Sequence, residues 1–271
     1  GCVDWPACNE EQFVDVSTPH AAIEQLNRLF TGVVAASVVA AVLAALFVRP
    51  RQRRLVRLAM WLVVGVVGQV VLGGIVVLTG LHPLSNMGHF LLSIALMWGG
   101  YLLVDAVSSD GQREQHPRWS LRASHVARPL QGDLVVVGSR VIVLLTLSAI
   151  VTGTVVTGTG PHAGDESAPR FGYLITSVAR VHGTVVWLVV LTALWLGWQL
   201  WRKGADQRLQ RAFEWFLFLA MVQGGLGYLQ YFTGVPVPLV ALHVALSVVV
   251  WLAAMRLATI ARRYSPCDTM A

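Results

Sequence analysis

The sequence predicts an all-α membrane protein made of two pseudo-symmetric four-helix transmembrane bundles. Three observations carry that expectation. The chain of 271 residues is 55% hydrophobic and only 13% charged, with a mean hydropathy of +0.64; ordinary soluble domains are about 25% charged. Several apolar runs approach or exceed the roughly 20 residues that cross a bilayer as a helix. A block of some 25 residues also occurs twice without a gap.

In chain order we expect spans at 29–48, 57–79, 89–107, 135–157, 174–201, 212–232 and 238–260. The segments between them sort by charge. R49-P-R-Q-R-R54, the 108–134 segment with Arg113, Arg118, Arg122 and Arg128, the segment from Trp201 to Arg211, and the tail at Arg262 and Arg263 are basic. The alternate segments are acidic or nearly uncharged: the N-terminus with Asp4, Glu10, Glu11 and Asp15, the loop at 81–86, the loop from Pro161 to Arg170, and the turn from Val235 to Pro238. Basic loops stay in the cytoplasm, which places the N-terminus outside and the C-terminus inside. The net charge of +6 is therefore a topology signal and gives no reason to expect nucleic acid. Of the 20 basic residues only Lys203 is a lysine, which fits a GC-rich bacterial genome and a multi-pass protein of the plasma membrane. The 108–134 segment reads as a cytoplasmic connector, partly disordered or lying on the membrane surface. It joins an N-terminal half at 1–107 to a C-terminal half at 135–263.

The repeat pairs Q69-V-V-L-G-G-I-V-V-L-T-G80 with Q223-G-G-L-G-Y-L-Q-Y-F-T-G234, and each copy is followed by H-x-x-L-S. Every matched position lies 154 residues after its partner; further back, Asn27 falls opposite His182 with a slip of one. Spans one to three thus match spans five to seven. Span four has no partner, so we expect eight spans in the full protein, with the first preceding Gly1. A parallel repeat of this kind implies a two-fold axis along the membrane normal.

Titratable groups inside a span are costly and are usually there for function. His89, His182 and His243 all lie in the outer part of their spans. At 1.5 Å per residue, His182 and His243 sit about 12 Å and about 8 Å from the starts of theirs. Two imidazoles at similar depth in one bundle can hold the iron of a b-type haem, and Gly183, Gly224, Gly225 and Gly227 would let a flat macrocycle approach the backbone. The plainer alternative is that each histidine hydrogen-bonds across helices. His116 and His125 fall in the connector; His82 and His162 fall in outer loops.

Glu24 opens the first span, with Asn27 at i+3 and Arg28 at i+4, on one helical face. An interfacial ion pair explains this plainly. The repeat, however, puts that face where His182 stands in the other half, opposite His89, and a carboxylate beside a cofactor is a candidate acid, base or charge stabiliser. His20 stands one turn earlier. Cys2 and Cys8 flank C2-V-D-W-P-A-C8 on the outer side, where disulfides persist, so a disulfide is favoured over free thiols. Cys267 is cytoplasmic and an ordinary thiol.

The C-x-D-W-P-x-C segment, the E-x-x-N-R start of a span, the two H-x-x-L-S spans, T157-G-T-G-P-H-A-G-D165 and the run QYFTGVP from Gln230, in this order, resemble haem A synthases of the actinobacterial branch. The resemblance covers essentially the whole chain. It implies an oxidoreductase with haem b iron held by His182 and His243. Haem O would be the substrate in the first half, with His89 as one axial ligand, Asn27 and Arg28 beside it, and Glu24 as the essential carboxylate. Successive hydroxylations of the C8 methyl of haem O to a formyl group would give haem A for cytochrome oxidase. Cys2 and Cys8 would be the family's outer pair. Haem O synthase, oxidase assembly factors and a second copy of the chain are the partners this implies. Many members have histidine where this chain has Asn27, which leaves His89 alone, or paired with His20 or water. Two other readings compete: a di-haem b-type electron carrier, which does not explain Glu24 or the three-ligand asymmetry, and a non-catalytic haem-delivery protein.

Overall fold

The computed structural model describes Trp5, Val14 and residues 16–115, 129–161 and 168–263. The expected Cys2–Cys8 disulfide, Cys267, His116, His125 and His162 lie outside the described residues. Among the described residues seven helices follow one another: α1 Pro19–Phe47, α2 Arg53–Leu78, α3 Pro83–Gln115, α4 Pro129–Thr159, α5 Ile175–Lys203, α6 Gln207–Phe232 and α7 Val237–Arg263. All seven are long and apolar enough to cross a membrane, so the protein is all-α and multi-pass.

The helices overrun the apolar spans expected for them, most of all around 108–134. The apolar spans read from the sequence end at 107 and resume at 135, yet the helices reach Gln115 and start at Pro129. Once a turn exists, each further residue adds a hydrogen bond for little entropy. Apolar length therefore marks the membrane and does not mark the helix end.

Local chemistry sets the other ends. Thr18 Oγ1 accepts the Ala21 N–H at 3.2 Å, and Pro19 occupies the first turn, where its missing N–H is no loss. Asp206 caps α6 by accepting from the Arg208 N–H. Gly204 ends α5 at φ 56° and ψ 51°, sending its N–H to the Leu200 and Trp201 carbonyls. A residue with a Cβ adopts that conformation reluctantly.

The helices form two compact units, α1–α3 and α4–α7. In the first, α2 packs against both α1 and α3, around Ala45, Leu55, Ala59 and Ala106. In the second, α4 packs against α5 and α7, and α6 against α7 and, less extensively, α5. Its core holds Ile142, Leu196, Leu209, Phe216 and Leu257. Small residues bring these backbones together: a Cβ on Gly197 would lie 2.8 Å from the Phe213 ring. Outward, Trp201 is 79% and Phe232 77% exposed, an apolar surface that suits hydrocarbon and not water.

The repeat is also a repeat of geometry. The α2–α3 and α6–α7 hairpins close with the same turn. Thr79 and Thr233 leave their helices at φ −94°, ψ 10° and φ −95°, ψ 11°. Each threonine hydroxyl bonds back to its own helix, to Ile75 O and Leu229 O. Two left-handed residues follow in each turn, Gly80 and Leu81, then Gly234 and Val235. The Leu81 and Val235 amides close the turns on Val76 O and Gln230 O. Glycine takes the first left-handed position freely; leucine and the β-branched valine take the second at a cost.

Gly234→Ala should therefore destabilise the protein by about 1–2 kcal/mol. Gly224→Ala, in a helix with open space around its Cβ, should lose nothing. Unfolding in detergent by added denaturant measures both.

Candidate functional site

Three imidazoles each stand about two turns into their own helix. His89, His182 and His243 follow the first residues of α3, α5 and α7 by about 9–11 Å of helix rise. Helical side chains lean toward the N-terminus of their helix, so each ring lies over a neighbouring helix nearer that end. In every case it meets a glycine. A Cβ on Gly73 of α2 would stand 3.5 Å from His89 Cε1; on Gly153 of α4, 3.3 Å from His182 Cε1; on Gly227 of α6, 3.1 Å from His243 Cε1. In each case Nδ1 is the second atom met, and Nε2 is not within 4 Å of that point. The Nδ1–Cε1 edge is seated on the glycine, and Nε2 is directed elsewhere.

This corrects the role expected of one glycine. Gly227 receives the His243 ring edge and is not a surface for a macrocycle to lie on. Gly183, Gly224 and Gly225 have open space around them.

Within the α4–α7 unit, His182 and His243 lie within electrostatic range of each other. His182 Nδ1 and Thr152 Oγ1 are hydrogen-bonded at 3.2 Å, while the Nδ1 atoms of His89 and His243 are buried without a partner. Glutamines hold the backbones of those two. Gln69 Nε2 donates to the His89 carbonyl at 3.1 Å and to Ser93 Oγ at 2.7 Å. Gln223 Nε2 donates to the His243 carbonyl at 3.0 Å.

In the α1–α3 unit, Arg28 Nη2 donates to Glu24 Oε1 at 2.7 Å, and both side chains are about a fifth to a quarter exposed. Asn27, one residue away from Arg28, is exposed. The ion pair lies on α1, which packs on α2, the same helix that seats His89. His20 is in the first turn of α1. His82 is exposed, and its Nδ1 accepts the Leu84 N–H at the start of α3, so its role is a cap. Trp5, from the cysteine-flanked segment, packs on α2 so closely that a Cβ on Gly74 would stand 2.9 Å from its ring.

Thr152, Gly73, Gly153 and the two glutamines carry roles that the sequence reading did not assign. The repeat held the signal for three of these residues, because Gln69 and Gly73 recur as Gln223 and Gly227. Thr152 and Gly153 had none, since α4 has no counterpart among the described helices.

Thr152→Val keeps the side-chain shape and removes the hydroxyl bonded to His182. It should cost about 0.6 kcal/mol, the average for such a bond between membrane helices. Ser148→Ala removes only a bond from Ser148 Oγ back to Leu144 O of its own helix, and should be neutral. Unfolding in detergent distinguishes the two.

No curated protein and no solved structure matches the chain. The model of one protein family does, over residues 1–255, and its description is cytochrome oxidase assembly protein. With nearly the whole chain matched, and with half-buried histidines repeated in its apolar helices, the protein belongs to the COX15-CtaA family of cytochrome oxidase assembly proteins, the haem A synthase family.

Proposed function

We propose that the protein converts haem O to haem A by oxidising the C8 methyl to a formyl group, and that it carries a haem b as resident cofactor. The observation that carries this reading is that His182 and His243 belong to one four-helix unit, each with its Nδ1 edge pressed on a glycine and its Nε2 directed elsewhere. Two neutral imidazole nitrogens are the donor set for an iron whose other ligands come from a porphyrin. Bound haem would supply the redox chemistry that no side chain here provides.

The residues of the chain then divide the work. His182 and His243 would hold the haem b iron, with Thr152 fixing the His182 ring through Nδ1. His89 would hold the substrate haem O in the α1–α3 unit. Asn27 and Arg28 flank it without adding a second imidazole. Arg28 orients the Glu24 carboxylate by the hydrogen bond at 2.7 Å. Glu24 accepts a proton from the attacking water or stabilises positive charge that develops beside the ring. The arginine-rich segments support an orientation with the C-terminus in the cytoplasm of a bacterium and the histidines toward the outer face. Cys2 and Cys8 would then form an outer disulfide. Haem O synthase and oxidase assembly factors are the partners of such a reaction.

The test is the haem content of the protein purified from cells that make haem O, extracted and separated by chromatography. Haem B with haem A is expected from the parent, and haem B with trapped haem O from Glu24→Gln. Haem B alone in both would sink the synthase reading and favour an electron carrier or a delivery protein.

The glycine seats give a graded prediction. An added methyl presses hardest on His243 in Gly227→Ala, less on His182 in Gly153→Ala, and meets His89 at ordinary contact distance in Gly73→Ala. Haem B retention should fall in the order Gly227→Ala, then Gly153→Ala, with Gly73→Ala at the parent level. Absorbance of the reduced purified proteins measures it.

A further inference from the structure

The two glutamines of the repeat have no part in the reading above, and each leaves an atom unaccounted for. Gln69 Oε1 and Gln223 Oε1 are buried without a hydrogen-bond partner. So are His89 Nδ1 and His243 Nδ1. The orphans therefore occur as matched pairs, one pair in each copy of the repeat.

The members of a pair are not hydrogen-bonded to each other, but the connectivity places both along one helical stripe. Each glutamine amide donates to the backbone carbonyl of its own histidine. Only the NH₂ end of an amide can face a carbonyl, so this contact fixes which end is which and leaves Oε1 on the far side. Gly73 and Gly227, which seat the rings, lie four residues after Gln69 and Gln223, on the same face of α2 and α6. One helical stripe thus holds the histidine backbone with its glutamine and the histidine ring with its glycine. The ring atom turned to that stripe is Nδ1, with Cε1. A neutral imidazole that ligates through Nε2 carries its proton on Nδ1, and that N–H needs an acceptor. A buried acceptor left empty in hydrocarbon has nothing else to bond.

We infer that Gln69 and Gln223 are positioning residues for His89 and His243. Each clamps the histidine backbone with its amide NH₂, and each offers Oε1 as the acceptor that keeps the proton on Nδ1 and leaves Nε2 free to ligate. Thr152 serves the same end for His182 with a hydroxyl. The three imidazoles are then held by two chemistries: an amide in the repeated hairpins, and a hydroxyl from α4. The inference rests on His89 and His243 being iron ligands.

The test uses the purified haem-loaded protein and compares His243→Ala, Gln223→Met and Gln223→Glu. Haem content is read by absorbance, and the reduction midpoint of haem B by redox titration. His243→Ala should lose the haem B signal; if it keeps the parent signal, the ligand assignment fails, and this inference fails with it. Gln223→Met preserves length and removes both amide functions. It should bind haem B about 10–100-fold more weakly, the usual consequence of losing a partner behind a metal ligand, and raise the midpoint. Gln223→Glu supplies a stronger acceptor and should lower the midpoint below that of the parent. A Gln223→Met protein with the parent affinity and midpoint overturns the inference while leaving the ligand assignment standing. If Gln223→Met does not accumulate as folded protein, Gln223→Glu decides: an unchanged midpoint overturns the inference equally. Thermal unfolding followed by circular dichroism separates these effects from general destabilisation, because a merely structural glutamine would move the melt and not the midpoint.

Discussion

Hydrocarbon offers no hydrogen-bond partner, and this constraint organises everything else in the molecule. Seven helices satisfy their own backbones, which frees the interior from any need for polar side chains. Each polar group that does remain has to be met by a neighbouring helix. The histidines are met in part in this way. Their rings come to rest on glycine, where two backbones approach closely; the His89 and His243 carbonyls are met by Gln69 and Gln223, and the His182 ring by Thr152. Nδ1 of His89 and of His243 stays without a partner.

The two units use that arrangement unequally. In the α4–α7 unit two helices each carry an imidazole seated on a glycine. In the α1–α3 unit the position matching His182 is Asn27, exposed, beside an ion pair of Glu24 and Arg28. On the proposed reading, the first unit would hold a permanent haem and the second a haem that enters, reacts and leaves. The α2–α3 hairpin also carries an extra link, Gln69 to Ser93, whereas the hydroxyl of Ser247 turns back to Val244 O in its own helix.

Much of the fold was legible because membrane helices announce themselves by apolar length. The apolar limits at 107 and 135 were legible, but the helix ends at Gln115 and Pro129 were not, since polar helical turns outside hydrocarbon leave no hydropathy signal. The three histidines were legible because an imidazole in an aliphatic run needs a reason. Their seats were not. Gly227 looked like room for a macrocycle, and only the helix crossing shows that it holds a ring edge. Gln69 and Gln223 were visible as the first letters of the repeat, but which helix their amides would reach depends on the angle set by the turn between.

That turn has a consequence for how the two copies could diverge. Residues in a helix advance by about 100° each, so one residue added between Gly80 and His89 would swing the imidazole away from Gly73 and bring another side chain to the seat. The same holds between Gly234 and His243. The stretch from Gln69 to Ser93 is therefore a ruler whose length is fixed by the site it spans. The two copies have kept that length identical, at an offset of 154 throughout, while the register slips by one between Asn27 and His182, outside the ruler.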